Sequence, residues 1–143
     1  MANYNATTRT NYFSVKNEVR LREIIESVIG DDDVVLFEQE TDGSKKYGFG
    51  CYGAIHGIAE SNTDDDYDAE YDLNALYKAL QGVLCEDDAI ILMEAGSEKL
   101  RYVAGLCTVI THNDVRFIDM RDVVLEKARE MLSDPTYSTQ LEY

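Results

Sequence analysis

The most constraining feature of this sequence is a pattern that occurs twice, 55 residues apart. Residues 21–55 align without gaps with residues 76–110, and seven of the 35 aligned positions are identical. Each copy has apolar residues at helical spacing, then three acidic residues, then a short apolar run and an alternating segment. Because alternation is typical of a half-buried antiparallel strand, each copy predicts a helix followed by a β-hairpin.

Capping and turn residues set the expected boundaries of these elements. Asn17 and Asp72 are favourable N-caps for the two helices, and Gly30 is expected to end the first one. Asp42-Gly43 suits a two-residue hairpin turn that needs positive φ angles, and Gly96-Ser97 occupies the corresponding place in the second copy.

Further elements are expected on both sides of the two copies. They are a strand at 12–15, a last strand at 115–118 and a third helix at about 121–132, which Asp119 caps and Pro135 stops. The resulting order is β-α-β-β-α-β-β-β-α. It predicts an α+β fold, an antiparallel β-sheet with helices on one face, built on a duplicated α-β-β unit.

The length favours a single domain over residues 1–143. Within it we expect an acidic loop at 57–71, which is close to the length at which loops are either functional or disordered. A loose tail is expected at 136–143.

Acidic charge is the second strong feature. The chain has 28 acidic and 13 basic residues, a net charge of −15, and residues 31–100 hold 18 of the acids but only four of the bases. The acids form three clusters: Asp31-Asp32-Asp33, then Asp64-Asp65-Asp66 with Asp68, Glu70 and Asp72, then Glu86-Asp87-Asp88. Direct binding of nucleic acid is disfavoured, because such affinity comes chiefly from Lys and Arg that neutralise phosphates.

The clusters allow two interpretations. They are either solvated turns that keep the protein soluble, or carboxylates spaced like the phosphates of a nucleic acid. In the second case a basic nucleic-acid-binding protein, such as a nuclease, would be the partner. Tyr67 and Tyr71 would add aromatic contact area to that interface.

An alternative function is binding or sequestering of a small ligand such as a nucleotide. Glycines within a strand often mark a close approach of another group, and Gly48 and Gly50 stand between Tyr47 and Tyr52. Lys45, Lys46 and Arg101 would be available for phosphate. A self-associating protein, and hence a homodimer, is a further possibility.

Catalytic and metal chemistry have no specific signature here. His56 and His112, with Cys51 or Cys107, have no ligand-like spacing. The acids at 64–72 lack the glycine and glutamate of a calcium loop. We therefore predict a non-enzymatic protein with no catalytic residue, metal or cofactor, and free thiols at the three cysteines, which include Cys85.

The expected location is the cytoplasm of a host cell, without a membrane partner. No apolar run approaches the ~20 residues of a membrane-spanning helix, and the N-terminal stretch has no apolar core of a secretory signal.

Three segments carry a resemblance to other proteins: RTNYFSV at 9–15, KKYGFGCYGAI at 45–55 and MEAGSEKLRYVAGLCTVIT at 93–111. They resemble segments of small accessory proteins of Gram-positive phages and mobile elements. The small, strongly acidic chain is also similar in style to anti-restriction and anti-CRISPR proteins. The resemblance implies a role in counter-defence, and it assigns no functional residue.

Overall fold

The computed structural model describes residues 4–59 and 71–141. Its strands are β1 (Asn5–Thr10), β2 (Val28–Gly30), β3 (Val35–Thr41), β4 (Ser44–Tyr52), β5 (Ile55–Ala59), β6 (Tyr71–Asp72), β7 (Ile90–Glu98), β8 (Tyr102–Ile110) and β9 (Val115–Asp119). Its helices are α1 (Glu18–Ser27), α2 (Leu73–Val83) and α3 (Met120–Leu132).

The strands of the described residues form two sheets. The large sheet has the order β3-β4-β1-β7-β8-β9, and the small sheet has the order β2-β5-β6. Every pairing in both sheets is antiparallel. The predicted α+β class with an antiparallel sheet is therefore confirmed.

Local capping places the helix starts where the sequence predicts them. The side chains of Asn17, Asp72 and Asp119 each accept a hydrogen bond from a backbone N–H in the first turn of α1, α2 and α3. Each of these bonds satisfies one of the N–H groups that a helix leaves without a partner. The hairpin turn at Asp42-Gly43 is also confirmed, since both residues have positive φ angles.

Side-chain alternation gives the large sheet two different faces. The inner face carries buried side chains such as Phe49, Leu92 and Ile110. Together with α1 and α2 these residues form the hydrophobic core, in which Leu21 and Leu76 are fully buried. The outer face carries the alternate residues, among them Val35, Tyr52 and Met93, which are exposed.

The third helix departs from the expectation that all helices lie on one face. A Cβ atom added at Gly105 would meet Met120 Cβ at 3.1 Å. The pairing of β7 with β8 places Gly105 among the residues that face outward from the sheet. The helix α3 therefore begins against the outer face. It has no buried residue, although its apolar side includes Val124 and Leu132.

The duplicated α-β-β unit is not confirmed as a unit of the fold. Each copy does contain a helix and a hairpin, but β3 is an edge strand whereas the equivalent β7 lies inside the sheet. The intervening pairings also make β3 and β7 run in opposite directions. The two hairpins therefore occupy non-equivalent places.

Several expected boundaries are wrong because long-range pairing overrides local signals. The first strand is β1, and residues 12–15 contribute only isolated bridges through Phe13 and Val15. Gly30 does not end α1; it belongs to β2, which pairs with β5. Gly96-Ser97 lies within β7, and the turn follows Glu98. The described ends of the expected 57–71 loop belong to β5 and β6.

Candidate functional site

The first acidic turn, Asp31–Asp33, connects β2 to β3. Asp31 fixes the turn through Oδ2, which accepts a 2.8 Å hydrogen bond from the Ala54 N–H, while Oδ1 lies 2.6 Å from His56 Nε2. The Ala54 N–H and then His56 hold the pKa of Asp31 below its usual range. All three carboxylates are exposed, and they line a depression of about 510 Å³ together with the end of α1.

A glycine makes room for the anchoring carboxylate. Gly53 has a φ angle of +90°, and a Cβ atom built on it would lie 2.4 Å from Asp31 Cβ. Since only glycine adopts this conformation without strain, the segment between β4 and β5 is shaped to receive Asp31.

The second acidic turn, Glu86–Asp88, leads into β7 and is anchored by its last residue. Asp88 is half-buried; its Oδ2 accepts a 2.7 Å hydrogen bond from the Ser14 N–H and its Oδ1 accepts one from the Ala89 N–H. Glu86 and Asp87 are exposed. In each turn one carboxylate thus binds the backbone of another segment, and the other two are exposed. Of these exposed residues, Asp32 accepts a 2.7 Å hydrogen bond from the adjacent Asp33 N–H.

The two turns lie at opposite ends of the large sheet. Each precedes its strand, and β3 and β7 run in opposite directions. The register separates Asp33 from Asp88 by roughly 20 Å along the strands, at about 3.3 Å per residue. The turns therefore do not form one contiguous cluster, although the same rigid sheet holds both of them.

The third predicted cluster cannot be placed against the other two. Asp64, Asp65, Asp66, Asp68 and Tyr67 lie outside the described residues. Tyr71, in β6, is described and exposed. It belongs to the small sheet and does not contact either acidic turn through any hydrogen bond among the described residues.

The residues of the alternative ligand site serve mostly structural roles. Tyr47 is a core residue, and burial is the main cause that raises its pKa to about 12. Gly48 and Gly50 allow β1 to approach, since added Cβ atoms would lie 3.0 Å from Asn11 O and 2.5 Å from Thr8 O. Tyr52 points away from the core, on the outer face.

The predicted phosphate-binding cations are not brought together. Lys45 and Lys46 follow the β3–β4 turn at the start of β4, whereas Arg101 lies in the β7–β8 turn. The pairing of β1 with β4 and with β7 places these two turns at opposite ends of the sheet. The set Tyr47, Lys45, Lys46 and Arg101 therefore cannot surround one small ligand.

A cluster that the sequence interpretation missed lies on the outer face. The Arg9 guanidinium sits 5.2 Å from the Phe37 ring centre and 5.8 Å from that of Tyr12. Beside it, Gly50 and Tyr52 help to line a depression of about 320 Å³, with Asp33 at its rim. Alternation would have revealed this cluster only if residues 5–10 had been recognised as a strand.

The described residues offer little for catalysis or metal binding. No group of three or more His, Cys, Asp or Glu side chains within residues 4–59 and 71–141 could hold a metal ion. His56 pairs with Asp31, but no hydroxyl or thiol of this described part hydrogen-bonds to it. Cys51, Cys85 and Cys107 are free thiols, and burial raises the pKa of Cys51.

Comparisons with known proteins add no family assignment: no family model, curated protein or solved structure matches the chain. Among the described residues, no helix combines the length and the apolar character that crossing a bilayer requires.

Proposed function

We propose that this protein is a non-enzymatic inhibitor that binds a basic, nucleic-acid-binding groove of a nuclease, in phage or mobile-element counter-defence. The supporting observation is the pair of acidic turns. Each is fixed by backbone hydrogen bonds, and together they expose Asp32, Asp33, Glu86 and Asp87. Within the described chain none of these four carboxylates forms an ion pair.

Rigidity and spacing are what favour mimicry over simple solubility. The offset of roughly 20 Å along the strands combines with three strand spacings of about 4.8 Å between β3 and β7. The two turns are therefore roughly 25 Å apart, which corresponds to about seven base pairs of duplex at 3.4 Å per step. This separation also exceeds the Debye length of about 8 Å at physiological salt. The two turns therefore act as two separate contact points, and a groove that holds a short duplex can bind both.

The experiment is affinity capture from a bacterial lysate, followed by elution with a salt gradient or with duplex DNA. We expect a retained nuclease that duplex DNA displaces, because both ligands would occupy one groove. The double variant Asp32→Lys/Asp87→Lys should lose this retention. It leaves the anchoring Asp31 and Asp88 in place.

The matched control is Asp122→Lys/Glu126→Lys on α3, where both acids are exposed. It changes the net charge by the same amount but leaves both turns intact, so it should retain the nuclease. Retention that survives the turn reversals, or that the control loses equally, would show that the turns are not the binding surface.

A further inference from the structure

The outer face of β3, β4, β1 and β7 exposes several large apolar side chains. Val35 is 52% exposed, Tyr52 75%, Ile91 38% and Met93 40%. Val35, Gly50, Arg9 and Met93 fall in one row across four neighbouring strands. Val35, Phe37 and Tyr52 line one depression of this face, and Arg9 separates them from Met93. Exposed apolar clusters of this kind mark interaction surfaces.

Charge distinguishes this face from the rest of the molecule. The strand positions that point outward from β3, β4, β1 and β7 carry Arg9 and Lys46 but no Asp or Glu, by the alternation that the register fixes. The whole chain has a net charge of −15. Two copies would repel each other through their acidic surfaces, and the strand positions of this face add no carboxylate to that repulsion.

The face is also self-complementary. Arg9 and Asp33 both line the 320 Å³ depression, and neither forms an ion pair within the described residues. The Arg9 Nε donates a hydrogen bond to the Thr10 carbonyl oxygen. The prominent ring of Tyr52 stands at the border of the same depression. In a two-fold arrangement each patch meets an identical patch. Arg9 of one copy can then pair with Asp33 of the other, and the Tyr52 ring of each copy can fill the depression of the other.

We propose that two copies of this chain associate through the outer face of β3, β4, β1 and β7. Four strands at about 4.8 Å spacing and about 23 Å length cover roughly 450 Å² in projection. The exposed apolar side of α3, which starts on the same face, extends this area. The sheet face alone supplies more than half of the ~800 Å² per partner of a standard interface, and the remainder would come from neighbouring elements such as α3.

Sedimentation over a concentration series tests the proposal directly, with the wild-type chain expected to form a dimer. Tyr52→Asp should raise the dimer dissociation constant at least about tenfold, since central aromatic residues carry much of the binding energy of an interface. Met93→Glu provides an independent second variant on β7. Val19→Asp is the control, because Val19 is 69% exposed on α1, away from this face.

A charge swap identifies the two-fold contact. Arg9→Asp and Asp33→Arg should each weaken the dimer, and the double variant, with unchanged net charge, should restore it. A wild-type chain that stays monomeric at every concentration overturns the proposal, and so does a dimer that both Tyr52→Asp and Met93→Glu leave intact. Asp32→Lys/Asp87→Lys should remain dimeric, so this result is independent of nuclease capture.

Discussion

The two acidic turns have similar sequences but are built in opposite ways. In the first turn the leading residue, Asp31, binds the backbone of the segment after β4. In the second turn the last residue, Asp88, binds the backbone before α1. Each turn therefore uses one carboxylate for structure and leaves two exposed for contacts with a partner.

This difference shows that an acidic triplet is not a uniform functional unit. The anchoring carboxylates accept hydrogen bonds from N–H groups of other segments and position their neighbours. Among the exposed carboxylates, Asp32 accepts one only from the adjacent Asp33 N–H. Variants of the first group should affect folding, and variants of the second group should affect binding alone. The following substitutions test that division, beginning with the largest expected effect.

Gly53→Ala should destabilise the fold by about 2 kcal/mol or more. The new Cβ atom would be forced into a φ angle of +90° and against Asp31. Gly82→Ala is the matched control, since a Cβ atom there meets nothing within 4 Å and lies in α2. It should stabilise by about 0.5–1 kcal/mol. Urea unfolding measures both, and equal stabilities would refute the close fit around Asp31.

Asp88→Ala should lower the free energy of unfolding by about 1–2 kcal/mol, because the part-buried Ser14 N–H loses its acceptor. Asp88→Asn keeps one carbonyl oxygen as an acceptor and should recover part of the loss. Chemical denaturation at pH 7 compares the two. A stability that neither substitution changes would show that the second turn is not anchored in this way.

Asp31→Ala should cost about 1 kcal/mol at pH 7, and this cost should depend on pH. The pKa of Asp31 is lowered in the folded state, chiefly by the Ala54 N–H and then by His56. The stabilisation is therefore present above the ordinary carboxyl pKa of about 3.9 and is lost as pH falls through the lowered value. Thermal unfolding between pH 7 and pH 2 should show the wild-type and variant curves converge in acid; parallel curves would contradict this.

Asp32→Ala and Asp87→Ala should leave the free energy of unfolding within about 0.5 kcal/mol of the wild type. Both carboxylates are exposed and form no ion pair within the described chain. The hydrogen bond that Asp32 accepts from the adjacent Asp33 N–H is exposed, so water can replace it. Removing them also reduces repulsion in an acidic protein. Loss of more than about 1 kcal/mol in urea unfolding would mean that these acids are structural.

Local features of the fold could be predicted from the sequence. Asn17, Asp72 and Asp119 cap the helices as expected because capping depends on neighbours within one turn. The Asp42-Gly43 turn is local in the same sense. Strand β1, by contrast, has three Thr and only one apolar residue among its six residues. It is held by pairing with β4 and β7, far away in the chain. That pairing has no local signal.

The arrangement of the candidate site depends on long-range strand pairing, which local sequence patterns do not reveal. Both acidic turns are recognisable as clusters, but their separation follows from the directions of β3 and β7, which the insertion of β1 between the hairpins determines. The face of the sheet on which Arg9 lies, and the roles of Gly48 and Gly50, likewise cannot be predicted unless β1 is recognised as a strand. The anchoring of Asp31 depends on His56 and Ala54, across another long-range contact.

The most direct test of the proposed function is to reverse each turn separately and together, and to measure the salt concentration that releases the captured nuclease. If both turns occupy one groove, Asp32→Lys and Asp87→Lys should each lower the releasing concentration, and the double variant should lower it further. Asp122→Lys/Glu126→Lys should match the wild type. Single variants that both release at the wild-type concentration would contradict a contact made through the two ends of the sheet.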